Sequence, residues 1–308
     1  PRHGADVAPR RLPDPDARPR PDGTGVRLVV NPGSGPALAA PPTQALREGL
    51  PGAAVVELGE GDDLVEVLCE GCDDDVVAVG AAGGDGTLNS AAAIALDRGV
   101  PLVAVPAGTL NHLARDLELE SVDDAVAAVR AGTVTRMDVG LIDGRPFLNT
   151  ASFGGYTEVV DAREALEERL GKWPALALAL ARVLRRLEPL PVEIDGRERR
   201  VWLVFVGNCR YSPDGFGPSW REELDDGLLD VRLVDGGHPF ARTRLVLAVL
   251  TGQLSRCAPY EEWTCDRLEV RSLDGPLRVA LDGEVFDAGR HVVVEKRPKA
   301  LTVCVPPT

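Results

Sequence analysis

The sequence predicts an α/β domain built on a parallel sheet, followed by a domain of mainly antiparallel β-structure. The chain has 308 residues, which is enough for two domains. From residue 25 to residue 151, short apolar runs alternate with helical stretches, as they do in parallel α/β sheets. Beyond residue 151, Asp-Gly dipeptides recur between short β-type runs, which is typical of antiparallel hairpins. We therefore predict domains at 25–151 and 152–308.

The first domain is expected to hold its ligand in the loops that follow its strands. Buried strands are predicted at 26–30, 76–79, 101–105 and 137–141. Helices are predicted at 43–49, 62–70, 88–97, 111–117 and 122–131. In such sheets, ligands bind at the carboxyl ends of the strands. Three loops occupy those positions: Asn31–Gly35, Gly83–Thr87 and Pro106–Thr109.

The second domain carries a hairpin signal at Asp195-Gly196, between predicted strands at 191–195 and 199–207. Further strands are predicted at 228–234, 267–272, 277–281, 291–296 and 301–305. Helices are predicted at 156–170, 174–187 and 240–254.

Composition and charge narrow the range of functions. The formal net charge of −14 argues against general nucleic-acid binding and against strong overall attraction to anionic membranes. We find no run of about 18 apolar residues that could span a membrane. Residues 1–24 are rich in Pro, Arg and Asp and lack the apolar core of a signal peptide, so we expect a disordered tail. Six cysteines do not make a disulfide framework, which fits the reducing cytoplasm.

The segment Gly83-Gly84-Asp85-Gly86-Thr87 directly follows an apolar run and precedes a predicted helix. Backbone N–H groups of such a turn, and those of the helix N-terminus, can surround a phosphate. A carboxylate at Asp85 repels bare phosphate, so its presence favours Mg²⁺ between the two groups. The alternative is a tight strand-to-helix turn in which Asp85 is a capping residue.

Several motifs follow one another in a recognisable order. The first are Asn31-Pro32 with Ser34-Gly35, then Gly83–Asn89, then Pro106–Asn111 with Ala114-Arg115. The later ones are Asp138-Val139-Gly140, Asp226–Val231 and Leu281–Glu284. This order resembles the diacylglycerol kinase catalytic domain, whose family includes sphingosine and ceramide kinases and soluble bacterial lipid kinases. The resemblance covers residues 26–305 and implies a fold like that of NAD kinase and diacylglycerol kinase, with the active site in the cleft between the domains.

The resemblance implies that the three glycine-containing loops bind ATP. The nucleotide-binding residues would be Asn31, Pro32, Gly33, Ser34, Gly35, Gly83, Gly84, Asp85, Gly86, Thr87, Asn89, Gly108 and Thr109. Asp85 would also be catalytic through Mg²⁺. Asp138, expected at the end of a strand, would help to place the same ion.

For the proton transfer, the resemblance implies Glu284 as the general base on the lipid hydroxyl. Asp282 would lie beside it, on the metal or on the same proton path. In an extended segment, positions 282 and 284 point to one face, so two carboxylates could divide these duties. The two roles could also be exchanged, because adjacent carboxylates share protons. The alternative for Asp282-Gly283-Glu284 is an acidic β-turn.

A second, structural Mg²⁺ is also implied. Its ligands would be Asp225, the carbonyl oxygen of Leu228, and Asp230, and oxygen ligands suit this ion. The alternative is an Asp-Gly turn that enters a strand. One departure from the family is His112, where many bacterial members have Asp. We expect His112 to cap a helix or to face solvent.

Membrane contact is expected because a lipid substrate lies in a bilayer. The predicted helix 174–187 has an apolar stripe together with Arg182, Arg185 and Arg186. It is either a core helix with solvated arginines or a contact with the membrane surface. The expected location is the cytoplasm, peripheral at the inner membrane surface, and the sequence leaves a homodimer open.

These observations predict an ATP-dependent lipid kinase that transfers the γ-phosphate to a lipid hydroxyl in line, without a phospho-enzyme. Diacylglycerol and sphingoid bases are both compatible acceptors. One alternative is an NAD kinase-like phosphotransferase, which shares the Gly-Gly-Asp-Gly-Thr loop. Another is a non-catalytic protein that binds nucleotide or lipid.

Overall fold

The computed structural model describes residues 18–33, 42–70, 75–108, 111–154, 185, 188–212 and 220–307. The chain divides into two compact units. The first contains the residues up to Val139 together with Glu222–Asp226 and Arg297–Thr308. The second contains Gly140–Arg221 and Gly227–Lys296. Two short segments from late in the sequence therefore belong to the first unit.

The first unit is built on parallel strands. They are β1 (Val26–Val30), β2 (Ala54–Glu57), β3 (Ala78–Gly83) and β4 (Leu102–Pro106), and the apolar side chains of all but β2 are almost entirely buried. Their order is β2-β1-β3-β4, and every neighbouring pair is parallel. A later strand adds to the same sheet beside β4, where Val303 pairs in parallel with Leu102. This confirms the predicted parallel sheet.

Five helices connect these strands within the described part of the first unit. They are α1 (Pro42–Gly49), α2 (Leu64–Glu70), α3 (Asp85–Arg98), α4 (His112–Asp116) and α5 (Val122–Ala131). The bounds of α5 were predicted without error because its ends carry strong signals. Ser121 and Asp124 form a capping box at its start, and Gly132 ends it at φ 67°.

The predicted disordered tail needs a correction in its last residues. Residues 18–24 form turns that hydrogen bond to the first unit. The backbone N–H of Arg20 donates to the carbonyl of Val129 at 3.3 Å, and that of Gly52 donates to the carbonyl of Asp22 at 2.6 Å. Backbone pairing of this kind holds residues 18–24 in place. The rest of the predicted tail lies outside the described residues.

The second unit is antiparallel, as predicted. Its strands are β5 (Val134–Ile142), which begins in the first unit, β6 (Arg145–Phe147), β7 (Thr150–Gly154), β8 (Leu190–Ile194), β9 (Arg197–Asn208), β10 (Tyr211–Ser212), β11 (Trp220–Arg221), β12 (Leu229–Asp235), β13 (Tyr260–Cys265), β14 (Arg267–Ser272), β15 (Arg278–Leu281), β16 (Glu284–Asp287) and β17 (His291–Cys304), which ends in the first unit. The order is β16-β15-β7-β9-β8-β14-β17, and β12 lies between β9 and β13. Helix α6 (Ala241–Leu250) and a 3-10 turn (Leu254–Arg256) follow β12.

Several individual predictions were wrong in this unit. The strands expected at 291–296 and 301–305 belong to one strand, β17, which continues through Lys299 although this residue has a φ of 53°. The strands β6, β7, β10, β11, β13 and β16 of this unit were not predicted, and neither was β2 of the first unit. The predicted helices at 156–170 and 174–187 lie outside the described residues except for Arg185, which is exposed. None of the described helices is long and apolar enough to cross a membrane.

Candidate active site

The three glycine-containing loops lie at one edge of the parallel sheet in the first unit. The register pairs Val30 of β1 with Ala82 of β3, and Gly83 of β3 with Pro106 of β4. The chain therefore leaves these neighbouring strands at the same level. The backbone N–H of Asn31 donates to the carbonyl of Ala82 at 2.9 Å, which ties the first loop to β3. The predicted grouping at the carboxyl ends of the strands is thus present.

The second and third loops approach each other so closely that only glycine fits at Gly108. A Cβ atom there would lie 2.3 Å from the Cα of Gly84 and 2.9 Å from its nitrogen. The side chain of Asn111 holds the third loop in this shape. Its Oδ1 accepts from the N–H of Gly108 at 2.9 Å, and its Nδ2 donates to the carbonyl of Gly108 at 2.9 Å. The result is a paired backbone surface without side chains, of the kind that lets a phosphate approach closely.

Asn31 connects the first loop to the second. Its Nδ2 donates to Oγ1 of Thr87 at 3.2 Å, and its Oδ1 accepts from the N–H of Gly33 at 3.0 Å. Thr87, together with Gly86 and Asn89, lies in the first turns of α3, where the positive end of the helix dipole favours an anion. Pro32 is exposed beside Gly33. The predicted contacts Ser34, Gly35 and Thr109 lie outside the described residues.

Asp85 has a structural role in addition to the metal contact predicted for it. Its carboxylate accepts from the backbone N–H of His112 and from that of Leu113, each at 3.2 Å. These are the first N–H groups of α4, so Asp85 caps that helix from across the sheet edge. This contact agrees with the capping alternative, although the capped helix is α4 and not α3. Binding of Mg²⁺ by Asp85 stays a prediction beside this observed role.

His112 is the first residue of α4 and is exposed, which confirms the expectation that it faces solvent at a helix start.

Asp138 lies in the middle of β5 and is fully buried, so the prediction that it ends a strand was wrong. Its Oδ1 accepts from the backbone N–H of Lys299 at 2.7 Å. An oxygen of its carboxylate lies within 4.8 Å of a carboxylate oxygen of Asp226. Two carboxylates at this distance are a donor set that suits Mg²⁺. Sequence reasoning missed Asp226, although it stands in one of the motifs on which the resemblance rests.

The residues predicted to hold a structural ion each have other partners. Asp225 forms an ion pair with Nζ of Lys299 at 3.3 Å. Asp230 forms a buried ion pair with Nη2 of Arg232 at 2.7 Å. The carbonyl of Leu228 accepts from the N–H of Cys209 at 3.0 Å. Carboxylate and carbonyl oxygens have further lone pairs, so ion binding at these residues stays a prediction.

The acidic segment 282–284 is a hairpin turn in the second unit. Asp282 and Gly283 have φ values of 47° and 95°, and they join β15 to β16 where Leu281 pairs with Glu284. Two consecutive residues with positive φ are typical of the two-residue turn that Asp-Gly favours. The expectation of an extended segment with both carboxylates on one face was therefore wrong. The backbone matches the alternative, an acidic β-turn.

The carboxylate of Asp282 turns back onto the strand beside it. It accepts backbone N–H groups from Leu148 at 2.7 Å, Asn149 at 2.9 Å and Thr150 at 2.8 Å. Burial of the carboxyl group raises the pKa of Asp282 to about 6, while these three donors and the charge of Arg221 act in the opposite direction. Asp282 thus fixes the hairpin to residues 148–150.

Arg221 holds the same segment from its other side, and the sequence offered no local signal for it. Its Nη1 donates to the carbonyl of Leu148 at 2.6 Å and to that of Asn208 at 3.2 Å, and its Nη2 donates to Oδ1 of Asn149 at 3.0 Å. Arg221, Asn149 and Asn208 are all buried. Residues 148–150 are therefore fastened between a guanidinium group and a carboxylate.

Glu284 differs from Asp282 in its surroundings. It is the first residue of β16 and is exposed to solvent. Its carboxylate is accessible to a substrate hydroxyl, while Asp282 holds the turn that carries it. The hairpin therefore presents one carboxylate on a fixed backbone.

Comparisons with known proteins agree with this arrangement. The model of the diacylglycerol kinase catalytic domain matches residues 25–142, and that of the YegS C-terminal NAD kinase beta sandwich-like domain matches residues 154–305. A diacylglycerol kinase from Bacillus subtilis (strain 168) is 30% identical over 239 residues, which cover 71% of this chain and 78% of that protein. A "probable lipid kinase YegS-like" from Xanthomonas euvesicatoria pv. vesicatoria is 32% identical over 268 residues, covering 80% and 84%.

A solved structure supports the fold. A crystal structure of a diacylglycerol kinase from Bacillus anthracis str. Sterne aligns with a TM-score of 0.61 at 20% identity, and the alignment covers 92% of this chain and 97% of that one. At this identity the likeness concerns the fold alone. The family matches and the Bacillus subtilis relative carry the stronger conclusion. The chain belongs to the diacylglycerol kinase family and is a lipid kinase.

Proposed function

We propose that this protein transfers the γ-phosphate of ATP to the hydroxyl of a diacylglycerol-like lipid. The acceptor class is inferred from relatives that are named diacylglycerol kinase. The observation that carries the proposal is the close approach of the loops at Gly84 and Gly108 in the first unit, and the second unit adds a hairpin that exposes one carboxylate, Glu284. The first feature suits a polyphosphate, and the second suits proton acceptance from an alcohol.

In the proposed reaction, ATP lies against the glycine loops of the first unit. Backbone N–H groups near Gly84 and at the start of α3 orient its phosphates. Glu284 accepts the proton of the lipid hydroxyl while the hydroxyl oxygen attacks the γ-phosphorus and ADP leaves. Asp282 and Arg221 act as positioning residues, because they fasten the backbone that carries Glu284. Rate acceleration would come from orientation and from charge stabilisation.

Mg²⁺ is the expected metal of this reaction. The neighbouring carboxylates of Asp138 and Asp226 fit its preference for oxygen ligands, and Asp85 would be a separate carboxylate donor. When bound, Mg²⁺ neutralises charge on the β- and γ-phosphates.

The proposal is tested by product identification. The purified chain is incubated with γ-labelled ATP, Mg²⁺ and a total membrane-lipid extract, and the labelled product is separated and identified. We expect the label in one lipid class with a primary hydroxyl, and we expect that class to be diacylglycerol. NAD is offered in a parallel reaction, because the second matched family model describes an NAD kinase-like sandwich. Label in NADP and none in lipid would replace the proposal with the alternative.

A further inference from the structure

One segment of the second unit departs from the charge of the rest of the chain. Residues 236–260 contain no aspartate or glutamate, although the chain has 48 acidic residues and a net charge of −14. The same segment contains Arg242, Arg244 and Arg256. A local basic region on an acidic protein attracts anions that the molecule as a whole repels.

Helix α6 in this segment is firmly attached to the second unit by one face. Leu245 and Val249 are buried, and they pack against a cluster that includes Trp202, Leu203 and Val234. Above the ring of Trp202, the guanidinium carbon of Arg242 lies 5.4 Å from the ring centroid. The helix therefore has a buried apolar face that accounts for its stability.

The outer face of α6 carries exposed apolar side chains beside the polar residues Thr243 and Arg244. The side chains of Leu247 and Leu250 are each 55% exposed, and that of Phe240, which precedes the helix, is 83% exposed. Spacings of seven and three residues place these side chains on one side of the helix. A group of exposed apolar side chains rimmed by polar residues is typical of an interaction surface. Within the described residues, no protein element covers this outer face.

The backbone of Phe240 is a second sign that a partner binds next to α6. It is the residue before α6, and it has a left-handed backbone with φ 56° and ψ 26°. A bulky residue in this conformation is strained, and glycine or asparagine is preferred there. The Phe240 side chain is 83% exposed, so packing against the described part of the chain does not offset this strain. An aromatic residue held outward at such a position is available to a partner.

We propose that the α6 surface, defined as Phe240, Arg244, Leu247, Leu250 and Arg256, binds an anionic lipid bilayer. An interfacial helix combines apolar side chains that enter the acyl boundary with cationic side chains that contact anionic headgroups. Arg244 and Arg256 are exposed and supply the second feature. A bilayer is the partner we infer because the proposed acceptor is a membrane lipid, so this inference rests on the proposed function.

The α6 surface anchors the protein and does not form the acceptor site. Strand β12 lies between the α6 surface and the proposed acceptor site of the second unit. Its first residue, Leu229, pairs with Asn208, whereas α6 follows its last residue, Asp235. Seven extended residues span roughly 20 Å. Substitutions on the α6 surface should therefore change attachment to vesicles without changing turnover of a lipid dispersed in detergent.

The test is vesicle flotation of the full chain, without ATP or lipid acceptor. Vesicles of phosphatidylcholine mixed with phosphatidylglycerol are compared with vesicles of phosphatidylcholine alone. We expect binding to the anionic vesicles that weakens roughly tenfold or more in the Leu247→Gln, Leu250→Gln double variant. The Arg244→Gln, Arg256→Gln double variant should lose a similar factor on anionic vesicles and nothing on neutral ones. Matched controls are Val65→Gln, an exposed apolar residue of α2, and Arg290→Gln, an exposed arginine of another loop.

Phe240→Asn separates membrane binding from a structural role. Asparagine accepts the left-handed backbone and is a favoured helix cap. The variant should therefore melt at the same or a higher temperature than the wild type, while its vesicle binding falls by about threefold or more through loss of one aromatic side chain. A lower melting temperature with unchanged vesicle binding would contradict the proposal.

Two further results would overturn it. One is a wild-type chain that does not float with anionic vesicles, or a double leucine variant that floats as well as wild type. The other is a wild-type dimer, seen by sedimentation velocity, that the leucine substitutions dissociate without affecting vesicle binding, since a second copy would then be the partner. Because the assay contains neither ATP nor acceptor, these outcomes leave the proposed kinase reaction untouched. Absence of kinase activity would equally leave the flotation result standing.

Discussion

The carboxylates of the candidate site differ in what already binds them. Asp85 and Asp282 both accept backbone N–H groups from segments far away in sequence. Glu284 stands exposed at the start of β16. A carboxylate that holds backbone donors is suited to positioning, whereas an accessible one is suited to accepting a proton. This difference decides our assignment of Glu284 rather than Asp282 as the base.

The raised pKa of Asp282 predicts a specific pH dependence of stability. Its pKa is about 6 in the native state and 3.8 in the ordinary case, so the native chain binds the proton more tightly than the unfolded chain. The free energy of unfolding should therefore fall as pH rises from about 4 to about 6, by roughly 3 kcal/mol from this group. Asp282→Asn should remove this part of the pH profile. Denaturant unfolding of both proteins at several pH values measures it, and parallel profiles would contradict the assignment.

Asp85→Asn should affect stability and transfer together. An amide can accept only one of the two N–H groups of α4 and turns a donor toward the other, so we expect a loss of about 1 kcal/mol in unfolding free energy. Transfer from Mg-ATP should be abolished if Asp85 also meets the metal. Denaturant melts and a labelled-ATP assay measure the two effects. Asp97→Asn, an exposed acid of the same helix, is the control. A variant that is less stable but fully active would restrict Asp85 to capping.

At the scale of elements, the close approach of two loops is the feature most open to test. A Cβ at Gly108 would meet the Gly84 backbone at 2.3 Å, whereas a Cβ at Gly84 would meet its nearest neighbour, the Cα of Gly108, at an ordinary 3.7 Å. Gly108→Ala should therefore separate the loops and weaken ATP binding by roughly tenfold or more, while Gly84→Ala should cost much less. Titration with a fluorescent ATP analogue measures both. Equal losses in the two variants would mean that the loop approach does not shape the nucleotide site.

The same scale shows what the sequence could predict. Helix α5 and the hairpin at Asp195-Gly196 were predicted because their caps and turns depend on neighbouring residues. Strand β7 was missed because its residues Thr150–Gly154 gain their extended shape from pairing with β9 and β15. The turn at Asp282 was taken for an extended segment, although Asp-Gly is a hairpin signal, because the argument assumed that both carboxylates serve one site.

Contacts between distant segments were beyond the reach of local patterns. Arg221 binds residues that precede it by 72 and 73 positions, and no motif marks it. Asp85 caps a helix that begins 27 residues later. The motif order predicted which residues gather at the sheet edge, since parallel strands fix where their loops lie. The motif order could not predict which of these side chains form hydrogen bonds with the backbone.

In the whole molecule, each of the two compact units contains segments that are distant in sequence, which composition does not reveal. Glu222–Asp226 and Arg297–Thr308 belong to the first unit although both come late in the sequence. The last of these segments supplies the pairing of Val303 with Leu102, which extends the parallel sheet. The net charge of −14 likewise conceals the basic segment around α6. Length and composition therefore allowed two domains and argued against nucleic-acid binding, but they predicted neither of these local features.

The most direct test of the account is single-turnover transfer by the whole protein. Wild type and Glu284→Gln are mixed with γ-labelled Mg-ATP, vesicles containing diacylglycerol, and NAD, and the label in each product is followed with time. We predict that wild type labels the lipid and not NAD. Glu284→Gln should label the lipid about 10²–10⁴-fold more slowly, which is the usual effect of losing a general base, and its ATP affinity should be nearly unchanged. Label in NAD, or lipid labelled by Glu284→Gln at the wild-type rate, would contradict it.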